Sequence, residues 1–281
     1  DELAKVMAAS GIYGPDVLSP APAKKAARRL PLRRIVRYAA ELVAVAVVGI
    51  GVAQMLADDR IEEWTRRTTA LEVPAGQYLS MELQDGTKVW LNAGTRLEYP
   101  LVFAGGERRV KVAGEAMFDV EHDPAHPFVV ETFACDVEVL GTKFDVMAEE
   151  REGLFSAALL RGSVKVTNRL TPGEQFVLKP NEEVRLAGRR LNLNAIGSMD
   201  DYLWTEGMIS IKGLSFGELM HKFEKSFGVK IRIDRARMPE VDYNHGKIRI
   251  SDGVDSALRL LQMASDFTYT RSEDNGTIVI R

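Results

Sequence analysis

Few residues in this chain have types and spacing suited to chemistry. His122 and His126 are four apart, the spacing at which two imidazoles on one helix face can share a metal. Here they lie in His122-Asp123-Pro124-Ala125-His126-Pro127, where two prolines oppose a helix and the helix-borne glutamate of such motifs is missing. The run reads as a polar loop, and neither a metal nor a cofactor is expected. Cys135 is the single thiol, which excludes an intrachain disulfide and cysteine-built zinc or iron–sulfur sites within one chain. Phe133, Cys135, Val137 and Val139 alternate with Asp136 and Glu138, so the thiol falls on the apolar face of a strand with no base beside it. No nucleophile–base pair and no carboxylate pair stands at a diagnostic spacing. These residues predict neither an enzyme nor a small-molecule substrate.

The elements that would position them are short strands. From 71 to 191 the dominant period is two, as in Thr87-Lys88-Val89-Trp90-Leu91, Arg109-Val110-Lys111-Val112 and Ser163-Val164-Lys165-Val166-Thr167. Gly and Pro punctuate the runs at Asp85-Gly86, Gly105-Gly106, Gly114, Pro127, Gly162 and Pro172-Gly173. Many strands without a long helical pattern predict a sandwich or a closed β fold.

The net charge of the 281 residues is -3, from 37 basic and 40 acidic side chains, which argues against a general nucleic-acid binder. The total hides a split. Residues 1–37 hold eight basic and three acidic residues, or +5, leaving -8 for 38–281. Seven of the basic residues are Lys24, Lys25, Arg28, Arg29, Arg33, Arg34 and Arg37. Directly after them, 38–57 is an apolar twenty-residue run with one charge, Glu41, which as a helix would span ~30 Å, the thickness of a bilayer core. Glu41 lies one turn from Arg37 and can pair with it. Basic before and acidic after (Asp58-Asp59, Glu62-Glu63) is the positive-inside pattern. It predicts a single transmembrane helix with its N-terminus in the cytoplasm and its bulk exported. A cleaved signal peptide and a buried core helix are the competing readings.

Four ordered blocks carry a family resemblance. They are Asp85-Gly86-Thr87-Lys88-Val89-Trp90-Leu91-Asn92-Ala93-Gly94-Thr95, Arg109 through Gly114-Glu115 to Val120, Pro127-Phe128-Val129-Val130-Glu131-Thr132, and Val139-Leu140-Gly141-Thr142-Lys143-Phe144-Asp145-Val146. Together they resemble the FecR domain of single-pass regulators of extracytoplasmic-function (ECF) sigma factors. The resemblance implies a jelly-roll-like β sandwich. It also marks Gly141-Thr142 as the place where some members of the family cut themselves. A strained glycyl carbonyl followed by threonine can undergo an N-to-O acyl shift, and the ester then hydrolyses. The plainer reading is that the glycine opens a strand and threonine suits it.

After a linker at 192–204 the pattern becomes α+β. Met208-Ile209-Ser210-Ile211 reads as a strand. Ser215 to Gly228 reads as a helix with a Ser215/Glu218 capping box and an apolar stripe of Phe216, Leu219, Met220, Phe223 and Phe227. Strands at 229–233 and 247–250 follow, then a helix at 256–264 with Leu258, Leu261 and Met263 inward. A hairpin closes the chain, its second strand being Thr277-Ile278-Val279-Ile280. This order resembles the secretin/TonB short N-terminal-type domain at the C-terminus of FecR-like proteins of the Bacteroidetes variety.

The expected organisation is thus multi-domain and mainly β. It comprises a cytoplasmic basic segment (1–37), a transmembrane helix (38–57), a linker (58–70), a FecR β domain (71–191), a linker (192–204) and an α+β domain (205–281). The resemblance implies an inner-membrane anti-sigma factor or sigma regulator. Its implied partners are an ECF sigma factor inside and the signalling domain of an outer-membrane TonB-dependent transducer outside. Strand addition at an exposed edge would supply the docking, with Met208–Ile211 and Thr277–Ile280 as candidate edges. Members of the family usually carry a helical sigma-binding domain ahead of the membrane; here only 23 residues precede Lys24. Asp1–Ala9 reads as its remnant, so either the chain is truncated or sigma binding is reduced. The rival from another class is a membrane-anchored periplasmic glycan-binding module with Trp90 as its aromatic platform.

Overall fold

A computed structural model describes residues 36–39, 41–50, 52, 67–239, 246–272 and 276–281. The chain divides into two compact units, Asp1–Leu56 and Ala57–Arg281. In the first, residues 36–39, 41–50 and 52 are helical. Arg37 Nε lies 3.4 Å from Glu41 Oε1, the pairing expected one turn apart. Among the described residues no helix is long and apolar enough to cross a membrane. Residues 40, 51 and 53–57 of the expected span, and Lys24, Lys25, Arg28, Arg29, Arg33 and Arg34, lie outside the described residues.

The second unit opens with thirteen strands: β1 (Thr68–Glu72), β2 (Leu79–Glu82), β3 (Lys88–Leu91), β4 (Arg96–Pro100), β5 (Arg108–Asp119), β6 (Phe128–Glu131), β7 (Cys135–Val139), β8 (Lys143–Glu149), β9 (Leu154–Arg161), β10 (Val164–Asn168), β11 (Gln175–Leu178), β12 (Glu182–Ala187) and β13 (Arg190–Ala195). All belong to one hydrogen-bonded sheet. Its main path is β11-β10-β7-β6-β5-β8-β9-β12-β13, and β3 and β4 also pair with β5. The expected mainly β fold is present, as one sheet whose two halves are joined through β5. The first part of β5 pairs with β4 and, in parallel, with β6. The last part pairs with β3 and β8.

The changeover falls at Gly114, whose φ is +113°. A Cβ there would lie 2.6 Å from Thr95 Oγ1 and 2.7 Å from Thr95 Cα, so only glycine fits. The two halves share one core. Phe118 of β5 packs at 5.8 Å from Phe128 of one half and stacks at 5.4 Å on Phe144 of the other. The alternation of Cys135, Val137 and Val139 against Asp136 and Glu138 is present in β7, inward and outward respectively. β1 begins inside the segment read as a linker, and β13 ends inside the next one. The rest of that second segment folds into a 3-10 helix, Met199–Glu206, capped by the Ser198 side chain accepting from Asp200 N–H.

The C-terminal module comprises β14 (Met208–Ser210), α1 (Phe216–Phe227), β15 (Lys230–Ile233), β16 (Lys247–Arg249), α2 (Val254–Gln262), β17 (Tyr269–Arg271) and β18 (Thr277–Ile280). The capping box is complete. Ser215 accepts from Glu218 N–H, and Glu218 accepts from Ser215 N–H at 2.8 Å; the Ser215 hydroxyl, donating to Glu218 Oε2 at 2.6 Å, and then that N–H hold the Glu218 carboxyl below the usual carboxylate range. Phe216, Leu219, Met220 and Phe223 are buried in a second core with Leu258, Leu261 and Ile278. Met263 departs from the reading: it follows α2 and is 85% exposed. β14 pairs with β16, and β18 lies between β15 and β17.

Replacing Gly114 with alanine should cost about 2–4 kcal/mol, since it adds both a forbidden φ and a backbone clash. The same change at Gly153, also at positive φ but with open space around it, should cost only about 1–2 kcal/mol. Urea midpoints of the two variants check the difference.

Candidate functional site

Gly141 and Thr142 link β7 to β8 in a surface cleft of about 390 Å³, lined also by His122, Leu140, Gly162 and Ser163. Thr142 is buried, and its hydroxyl donates to Ser163 O at 2.9 Å. The flanking backbone is pinned: Val120 N–H donates to Thr142 O and Asp123 N–H to Leu140 O, both at 2.9 Å. A Cβ on Gly141 would meet His122 Nδ1 at 2.5 Å, and one on Gly162 would meet Thr142 Oγ1 at 2.8 Å. Two glycines thus clear the space around one peptide. A hydroxyl on the residue after a carbonyl can close a five-membered ring on it, as an acyl shift needs; here that hydroxyl is held by Ser163 O.

The loop histidines separate. His126 Nδ1 pairs with Asp123 Oδ2 at 2.7 Å, while His122 packs on Gly141. Among the described residues, no group of three or more His, Cys, Asp or Glu is placed to hold a metal. Burial pushes the Cys135 thiol up to about 12, so it carries almost no thiolate near neutral pH. Trp90 is half-buried, and Lys143 Nζ sits 5.5 Å from its ring centroid. A cation therefore occupies the surface proposed for a sugar.

Of the two candidate docking strands, one needs correction, while β14 is an edge, paired with β16 alone, whose residues are mostly buried. β18 has a partner on each side, β15 in parallel and β17 antiparallel, so Thr277, Ile278, Val279 and Ile280 form a central strand. β14 is covered: Ile209, Ser210 and Ile211 are buried, backbone included, and only Met208 is half-exposed. The borders of the three-stranded sheet are β15 and β17. On β15 the Ile231 N–H is taken by Glu224 Oε1 at 2.7 Å. On β17, Thr268 and Arg281 exchange hydrogen bonds, so by antiparallel alternation the Tyr269 amide faces away from β18.

A feature unread in the sequence is the seam between the two modules. Trp90, Met117, Asp145, Ala158 and Glu183 form a cross-strand row on the outer face of the sheet. Met117, Asp145, Ala158 and Glu183 are nevertheless buried. Tyr202 of the 3-10 helix and Lys225 of α1 lie at this row. The Asp145 carboxyl is held well above the usual carboxylate range by burial first and by the Glu115 charge second, against the pull of Lys225. Its Oδ1 has no hydrogen-bond partner. Burial, with the Asp145 and Glu183 charges, pushes the Tyr202 hydroxyl up. Lys225 Nζ contacts Glu149 Oε1 and lies 4.0 Å from Glu115 Oε2, which in turn accepts from Asn92 Nδ2 at 2.6 Å. Beside it the backbones nearly touch. Gly76 N–H donates to Lys225 O at 3.0 Å, and a Cβ on Gly228 would lie 2.8 Å from Ala75 O. The overlooked signal was apolar pairs in consecutive positions, Ala116-Met117-Phe118 and Ala157-Ala158-Leu159, which mark strands buried on both faces.

The boundary at this seam is also the boundary in the comparisons. Residues 69–165 match the family model "FecR protein", and residues 208–280 match "FecR, C-terminal". The chain belongs to the FecR family. Two crystal structures of a candidate anti-sigma factor from Parabacteroides distasonis ATCC 8503, at 1.65 and 2.50 Å resolution, resemble this FecR-family chain. Each is 28% identical, with a TM-score of 0.64, and the match covers 76% of this chain and 98% of the other. No curated protein matches the chain.

Proposed function

We propose that this FecR-family protein is a single-pass inner-membrane anti-sigma factor. It holds an ECF sigma factor in check from the cytoplasmic side and takes its signal outside from an outer-membrane TonB-dependent transducer. The observation that carries the reading is the succession of the FecR and FecR C-terminal modules in one chain, with a likeness to the anti-sigma candidate over 76% of the chain. The basic stub followed by the apolar run at 38–57 supports the membrane topology. The occupied face of Trp90 weighs against the glycan-binding alternative.

The transducer docks by strand addition on β17. Of the two borders of the three-stranded sheet, β15 already spends an outward amide on Glu224, whereas β17 presents Tyr269 and an exposed Thr270. The modules also carry a cleavable bond at Gly141-Thr142. Thr142 Oγ1 attacks the Gly141 carbonyl carbon, the C–N bond breaks as the hydroxyl proton passes to the amide nitrogen, and water hydrolyses the ester.

Tyr269→Pro removes the outward amide without touching a bond to β18. It should weaken capture of the full chain by a transducer signalling domain at least tenfold, while proline at Ile231, already capped, should cost far less binding. Equal losses from both changes would show that β17 is not the edge. Thr142→Ala should abolish the two-fragment pattern of the full chain on a gel, and Thr142→Ser should keep it. An unchanged pattern in the alanine variant would rule out cleavage by this threonine.

A further inference from the structure

We propose that the seam between the two modules is a proton-linked release switch, with Asp145 as its sensor and Lys225 as its latch. Glu115 of β5, Lys225 of α1 and Tyr202 of the 3-10 helix act on Asp145 directly; around them stand Glu149 of β8 on Lys225, Glu183 of β12 with its partner Arg185, and Lys143, two residues from Asp145 on the same strand face, over the Trp90 ring. Carboxylates outnumber cations, and one lysine reaches from the C-terminal module into the cluster. Two buried polar atoms at this end of the module remain unsatisfied, Asp145 Oδ1 and Trp204 Nε1. The Asp145 oxygen costs free energy while the face is covered, which favours opening.

Each module has its own hydrophobic core, so parting them leaves both folded. The sign of the linkage follows from the geometry. Docked, Asp145 is dry and faces Glu115, which favours its protonated form; undocked, it lies on an open sheet face in water. Docking therefore takes up a proton. It is strongest below the ordinary carboxylate range and weakens as pH rises towards the docked value, by about tenfold per pH unit. Movement of α1 would also withdraw Lys225 from Glu149 and Glu115, leaving three carboxylates to repel each other. The biological meaning of the switch rests on the C-terminal module being the signal receiver. Its physical existence does not, and the two fail separately: pH-independent docking leaves transducer capture untouched.

The test places a donor and an acceptor dye on cysteines introduced at Val177 and Met263, which are exposed positions in the two modules, of the full chain; buried Cys135 stays unlabelled. Energy transfer should fall as pH is raised above the ordinary carboxylate range of about 4. Asp145→Asn should hold it high and flat over that rise, Lys225→Arg should follow the parent, and Lys225→Glu should hold it low. Melting curves identify any variant that has lost a core. Energy transfer that is constant in the parent, or that falls equally in the Asp145→Asn chain, would overturn the proposal.

Discussion

The side chain of Thr95 fills the space that a Cβ on Gly114 would need, and its Oγ1 both donates to Glu115 O and accepts from Glu115 N–H, each at 2.9 Å. That contact fixes the point where β5 leaves one half of the sheet and enters the other. Everything downstream inherits the geometry. It places Phe118 between the phenylalanines of the two halves and closes the core. It also sets Glu115 on the outer face, where Asn92 and Lys225 meet it. One left-handed residue thus serves both the fold of the first module and the attachment of the second.

What could be read from residue order was whatever is decided locally. Alternation in β7, the capping box of α1 and the order of strands and helices in the C-terminal module are set by neighbours within a few positions. Edge status is not local. β18 looked like a terminal strand because it is last in the chain, yet the parallel pairing with β15 spans more than forty residues and puts it in the middle. The seam was hidden for the same reason: an aspartate among outward positions predicts solvent, and only the tertiary arrangement shows Tyr202 and Lys225 at its row. At Gly141-Thr142 the residue types were legible, while the reason for the glycine, the packing of His122, was not.

These parts describe a chain of transmission. A C-terminal module with its own core rests on the β module through one lysine, two closely approaching glycines and a covered carboxylate. Such an interface is polar and imperfectly satisfied, unlike either core, so it is where a partner's binding energy produces movement at least cost. In the proposed function, Gly141-Thr142 in the neighbouring β module and the basic run ahead of the apolar residues 38–57 are the next links.

The central claim is that the chain restrains a sigma factor in response to an outside partner. Its most direct measurement is transcription from promoters served by ECF sigma factors, in cells with and without the chain. Deleting the chain should raise promoter output severalfold and abolish its response to the transducer's inducer, with both restored by the full chain. Output and response that are the same in the presence and absence of the chain would contradict the claim.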